Sequence, residues 1–396
     1  MDIVAVAAVI GVMFAGSTLP TPLYIIYKQK FGFSGITLTL IYAAYVVGNL
    51  GALLVFGRLS DQIGRRRAML PALAAAVVST LVFLFADGTA ALFWARALSG
   101  LGVGVAAGTA NAWLAELVGS DKARATLIST GANYLGLALG PLTAGLLAQY
   151  VPWPLHFSFI AYLAVIAIFG ALMLRAKETV SQPAHRLSDV SLRPRIGVPR
   201  AIRLEFVAPA VTGFGALALV GFFAALAPSI LAQELHETSH AAAGALVFEL
   251  GLVCAATVML TKQLTSRAAM LWGLGLMVPS VALLVAAQQL ASLATMIGAT
   301  TLCGISAGAG YRGSLQVINE IAPESHRAEV VSSYFVCCFT GNALPVIGVG
   351  IISAYAGMLL ASAIFAGMIA VFAVAAVIFA VRHRGGPPVP SPTSRN

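Results

Sequence analysis

Long apolar runs separated by short polar segments fill almost the whole chain. They cover residues 3–26, 36–56, 68–86, 90–117, 125–147 and 156–174, then 206–227, 241–260, 268–287, 293–317, 328–354 and 357–381. A helix needs about 20 such residues to cross a bilayer. The pattern predicts an all-α membrane protein with 12 transmembrane helices in two pseudo-symmetric six-helix bundles, 1–174 and 204–381. Between the bundles lies a polar, proline-containing basic stretch, 175–203, which reads as a flexible linker. The end of the chain, 382–396, is rich in Pro, Gly and Ser and reads as a disordered tail. The second half echoes the first at one offset of 204: Gly100 meets Gly304, Gly104 meets Gly308, Glu116 meets Glu320 and Pro141 meets Pro345.

Composition excludes a soluble class. The chain is 59% hydrophobic and 9% charged, whereas soluble domains run near 25% charged. The net charge of +9 does not point to nucleic acid once its placement is counted. Of the 23 lysines and arginines, all but Lys28, Lys30, Arg96 and Arg312 fall in the loops and tail of one side. That bias predicts both termini in the cytoplasm. The linker arginines can also hold anionic lipid headgroups. Cys254, Cys303, Cys337 and Cys338 all lie in apolar runs without metal-ligand spacing and read as small apolar filler. The first run lacks a basic start and a cleavage site, so it reads as a span rather than a signal peptide.

The polar turn after the second run is Gly57-Arg58-Leu59-Ser60-Asp61-Gln62-Ile63-Gly64-Arg65-Arg66-Arg67. Gly57, Asp61, Gly64, Arg66 and Arg67 fill a pattern that resembles the signature loop between helices 2 and 3 of the major facilitator superfamily; Gln62 stands where a basic residue is common. Physically, Gly57 permits close helix approach, and Asp61 can accept from an arginine or a helix N-terminus. The cluster is expected to latch the cytoplasmic face in one state. Leu92-x-x-x-Arg96 followed by Ser99, Gly100, Gly102 and Gly104 resembles the family's helix 4. Gly136-x-x-x-Gly140-Pro141-x-x-Ala144-Gly145 resembles the helix 5 motif of its antiporters, with Ala144 in place of a glycine. These small residues favour close helix packing. The acid that many drug–proton antiporters of the superfamily keep inside helix 1 is missing here, since Asp2 sits at the terminus.

Polar residues inside spans are expensive and mark candidate sites. Tyr42, Tyr45 and Asn49 share one helix face, which either lines a cavity or packs within its own bundle. Asn111, Asn133 and Tyr311 are further cavity candidates. Arg96 keeps its charge, so it can tune an acid, hold a substrate anion or serve as a structural hydrogen-bond donor. Glu249 is the acid well inside a span; it reads as a proton carrier or as a helix–helix bond. Arg312 is expected to face water or an acid, with Glu249 or Glu320 as the partner. Glu116, at a helix end, is expected to pair with loop arginines. Glu234, His236, Glu237 and His240 read as a solvated loop rather than a metal site.

No nucleotide loop, haem pair or zinc helix is present in the sequence, so a primary pump or an enzyme is not expected, and no cofactor. The resemblance implies a monomeric secondary carrier of the bacterial inner membrane. One reading is proton-coupled export of small amphipathic compounds. A second is an importer or uniporter of an organic anion, sugar or amino acid, and a third is a receptor or scaffold that transports nothing.

Overall fold

The computed structural model describes residues 1–57, 59–180 and 196–382. Arg58 of the basic turn, the middle of the expected linker (181–195) and the expected disordered tail from 383 onward lie outside the described residues. The described residues form helices and no strand. Six long helices come first: α1 (Asp2–Thr18), α3 (Gly35–Phe56), α5 (Arg65–Leu84), α6 (Thr89–Val118), α7 (Lys122–Tyr150) and α8 (Pro154–Met173). Six follow: α9 (Arg203–Gln233), α10 (His240–Leu260), α11 (Ser266–Gln289), α12 (Leu293–Ile321), α13 (Arg327–Ala356) and α14 (Met358–Arg382). Two short ones intervene, α2 (Tyr24–Phe31) and α4 (Leu59–Ile63). All the long helices except α1 and α7 are long and apolar enough to cross a membrane.

The first expected span, 3–26, is broken. Pro20 and Pro22 cannot continue the ladder, so α1 ends at Thr18 and the chain resumes as α2. The basic turn is not wholly irregular, because it contains the single helical turn α4. Gly64 then reverses the chain with φ 100°, and a Cβ there would meet the Glu178 carboxylate at 3.0 Å. Serine and threonine N-caps start α3, α10, α11 and α12, through Ser34, Ser239, Thr265 and Ser292.

Within the first half, α6 packs on α3 and α5, and α1 on α6, α7 and α8. The approach is close because small residues meet backbone. A side chain at Gly100 would strike the Tyr45 carbonyl, and one at Gly136 would strike Gly11. Gly140 meets Ala15 and Thr18, whereas Gly108, the next in the α6 repeat, meets nothing within 4 Å. The second half packs α12 on α9, α10 and α11, and α13 on α9. The halves touch along two seams, α7 on α10 and α3 on α13. In the first, Gly145 and Pro141 lie against Gly244, and Ala138 against Gly251. In the second, Thr39 lies against Gly350. Thr39 is near the start of α3 and Gly350 near the end of α13, so this seam closes the end opposite the basic turn. At the basic end, polar residues of α6 and α12 stand exposed: Asn111 and Glu116 on α6, Gln316, Asn319 and Glu320 on α12.

Candidate functional site

The buried centre of the first half is cationic. Arg96 is 2% exposed and has no carboxylate partner among the described residues. Instead its guanidinium donates to the Ser17 carbonyl at 2.6 Å and lies over the rings of Tyr45 (4.5 Å) and Tyr42 (5.7 Å). Ring faces are negative, so they hold the charge without neutralising it. The face Tyr42–Tyr45–Asn49 is buried. It turns to Arg96 rather than to an open cavity, and Asn49 donates to the Tyr45 hydroxyl at 3.3 Å. Tyr42 also reaches across the molecule, donating to Asn342 Oδ1 at 2.9 Å. Asn342 on α13 donates in turn to the Leu217 carbonyl of α9 at 3.0 Å. Two buried polar atoms here have no partner, Arg96 Nε and the Tyr24 hydroxyl. Neither Tyr24 nor Asn342 was a candidate from the sequence. The signal was an aromatic beside the helix-ending prolines and a polar residue mid-span in α13.

The basic end holds a second constellation, centred on Arg65. This arginine, 5% exposed, donates to Asp61 at 2.5 Å, Ser60 at 2.7 Å and Glu116 at 2.6 and 3.1 Å. Glu116 also accepts from Thr179. Asp61, Arg66 and Arg67 belong to the signature pattern of the turn, and Arg65 lies outside it. Arg66 donates to the Ala176 carbonyl at 2.5 Å, and Arg67 is exposed. Glu178 caps α5 by accepting the backbone N–H groups of Arg65 (3.0 Å) and Arg66 (2.9 Å). Burial raises the Glu178 pKa, but these and further backbone N–H bonds outweigh it and hold the carboxyl below its ordinary range. Gly57 is exposed and faces no neighbouring helix. The backbone freedom that the turn requires belongs to Gly64.

The remaining candidates are dispersed. Arg312 does not pair with an acid, contrary to expectation. It donates to the carbonyls of Thr261, Lys262 (3.1 Å) and Leu264 (3.4 Å), because the end of α10 leaves carbonyls unpaired there. Glu320 accepts from Ser266 at 2.5 Å. Glu249 is half-buried and accepts from Thr301 at 2.6 Å. It shares the exposed flank of α10 with Ala245, Leu252 and Ala256, while Gly244 and Gly251 face α7. Asn111 accepts from Ser129, Asn133 Oδ1 is buried without a partner, and the Tyr311 ring lies tilted to that of Tyr334, with centroids 6.4 Å apart.

A sequence profile of the Major Facilitator Superfamily matches residues 6–268. The chain belongs to this superfamily. It is therefore a multi-pass membrane transporter and not an enzyme, and its helices form the superfamily's fold. Among curated relatives, the chain is 26% identical to the chloramphenicol resistance protein CraA of Acinetobacter baumannii over 319 residues, 76% of this chain and 75% of that protein. It is 24% identical to the multidrug resistance protein MdtL of Escherichia coli over 354 residues, 84% of this chain and 85% of that one. Among solved structures, a bacterial homologue of the human lysosomal transporter Spinster, inward-facing and unoccupied, aligns with a TM-score of 0.73 at 15% identity over 98% of both chains. A POT family transporter in complex with 5-aminolevulinic acid aligns at 0.77 and 11% identity, over 97% of this chain and 96% of that one.

Proposed function

We propose that this major facilitator exports small amphipathic compounds from the bacterial cytoplasm by alternating access, in exchange for protons. One observation carries the reading: the buried Arg96–Tyr42–Tyr45 cluster is tied to the opposite half through Tyr42 and Asn342. A cation held by ring faces offers its free Nε to a polar group, and the surrounding rings suit an apolar body. Movement of one half against the other breaks the Tyr42–Asn342 bond and opens the cluster toward the end opposite the basic turn. The relatives named for chloramphenicol and multidrug resistance support export of drug-like compounds. The basic end is taken as cytoplasmic from the charge bias, with 1–174 and 204–381 as the moving units. Glu249, the mid-depth carboxylate of α10, is assigned the exchanged proton, since access to water and contact with Thr301 can alternate as the helices move.

A second reading, carriage of a small organic anion, is favoured by the absence of a carboxylate beside Arg96 among the described residues. One experiment separates them. Cells making the protein are loaded with neutral, cationic and anionic compounds, and efflux is followed with and without an uncoupler; proton movement is then measured in proteoliposomes. Uncoupler-sensitive efflux of neutral or cationic amphiphiles, lost in Glu249→Gln, is expected. Movement of anions alone favours the second reading. Unchanged proton stoichiometry in Glu249→Gln removes Glu249 from the proposal.

A further inference from the structure

A groove of about 790 Å³ lies between α1, α7 and α8, and neither Arg96, Tyr42 nor Tyr45 lines it. Its floor is a stripe of small residues on α1: Ala7, Ala8, Gly11 and Ala15. Because these carry little side chain, α1 sinks against α7 at Gly136 and Gly140 and leaves a trough beside it. The walls are apolar and open sideways; Leu135 of α7 and Val165 of α8 are exposed. Along α1 and its C-cap the trough runs from Ile3 to Leu19, roughly 24 Å at 1.5 Å per residue. That is most of the hydrocarbon thickness, about 30 Å.

In the second half, aromatic residues pack between the corresponding helices. Its first, fifth and sixth long helices are α9, α13 and α14. There Phe214 meets Phe372 at 5.4 Å and Phe222 meets Phe365 at 4.6 Å. At the offset of 204, Phe365 corresponds to Ala161 and Phe372 to Ile168, and Ala161 lines the groove. Ala161 is thus small where the second half has a ring, while Tyr162 and Phe169 of α8 stand among the groove's walls.

The ends of the groove differ in charge. Arg124 lines the basic end, and Arg175 and Lys177 stand exposed just beyond α8. The acids nearby are engaged by backbone: Asp2 accepts from the Lys177 N–H at 3.1 Å and Asp121 from the Arg124 N–H at 2.9 Å. At the other end lies the fully buried Ser158, whose hydroxyl has no partner. A sideways-open apolar trough in a membrane transporter meets bilayer lipid in vast excess over any other molecule. We infer that the α1–α7–α8 groove binds a phospholipid with an anionic headgroup, one acyl chain on the Ala/Gly floor and the phosphate beside Arg124. This site is separate from the Arg96 cluster, and it does not depend on what the protein carries.

The test uses the full chain in nanodiscs of mixed phosphatidylglycerol and phosphatidylcholine, with retained lipid read by native mass spectrometry. The original protein should retain phosphatidylglycerol in preference to phosphatidylcholine by about fivefold, the scale of one basic residue at an anionic surface. Arg124→Gln should bring that preference near parity. Ala8→Phe with Ala161→Phe, which fills the trough, should lose the retained lipid; Ala161→Phe alone serves if the double variant does not fold. Retention by the filled variant equal to that of the original protein overturns the site. A preference that survives Arg124→Gln overturns the headgroup assignment. If filling the trough leaves lipid retention intact, and Ser158→Ala lowers binding of a transported amphiphile, the groove is a substrate dock and the lipid proposal fails.

Discussion

The basic ends of the two halves solve the same problem with different chemistry. In the first half, Arg65 sits among Asp61, Ser60 and Glu116. In the second, Arg312 sits among the carbonyls of Thr261, Lys262 and Leu264, and Glu320 is held by Ser266. Both arginines fasten a helix of the α6/α12 pair to the turn beside it. Arg65 does so through carboxylates, which need the planar guanidinium fork. Arg312 does so through neutral acceptors at a helix C-terminus, where any cation is favoured. A charged latch responds to whatever alters the carboxylates, whereas a carbonyl latch is inert to pH. The moving, regulated end is therefore expected in the first half.

The largest effect should come from Arg65→Ala, which strands two carboxylates at once. Charge-assisted bonds contribute about 1.5–3 kcal/mol each, but Asp61 and Glu116 are 54% and 38% exposed, so solvent discounts them. A total loss of about 2 kcal/mol in unfolding of the detergent-purified protein is expected. Transport at matched expression should fall roughly tenfold, the rate equivalent of about 1.4 kcal/mol. Arg65→Lys should recover little, because an ammonium cannot reproduce the fork.

Arg312→Ala should lose less, about 1 kcal/mol, since its acceptors are neutral carbonyls. Arg312→Lys should recover most of it. Equal losses for the two alanine variants, measured side by side by thermal unfolding, would erase the distinction between a charged and a neutral latch.

Asp61→Asn keeps the shape of the turn but removes one charge from Arg65. Because Asp61 is more than half exposed, unfolding should change by at most about 0.5 kcal/mol, while initial transport rates drop several-fold. An unchanged rate would assign the latch to Glu116 alone.

The smallest effect concerns acid. Glu178 has its carboxyl pKa lowered in the fold, so its stabilisation is complete above the unfolded carboxylate value and is lost as pH falls through the folded one. Unfolding of the original protein should steepen below about pH 4.5, the ordinary value, and Glu178→Gln should flatten that limb. A limb identical in both proteins would place the acid sensitivity on Glu116 instead, whose carboxyl the Arg65 hydrogen bond holds below its ordinary range.

Residue order by itself determined most of the spans, the basic turn and the family resemblance. Hydropathy is a local property: a run of 20 apolar residues is committed to the bilayer whatever its neighbours are. Proline at 20 and 22 likewise ended α1 from the chain alone, because a missing N–H needs no tertiary context. The motif around Gly57–Arg67 marked the right turn, yet three arginines in a row gave no means of ranking Arg65 above Arg66 and Arg67. Only packing decided that, since one of the three side chains is buried against α6. Tertiary structure also parted Glu249 from Arg312, because the angle each helix presents to its neighbours follows from where glycines let backbones touch. It turned Tyr42 toward Asn342, 300 residues away in the chain. It left a trough beside α1, with Ala161 where the second half has Phe365. Contacts between helices distant in sequence depend on the shapes of both partners, and a single chain read in order shows one partner at a time.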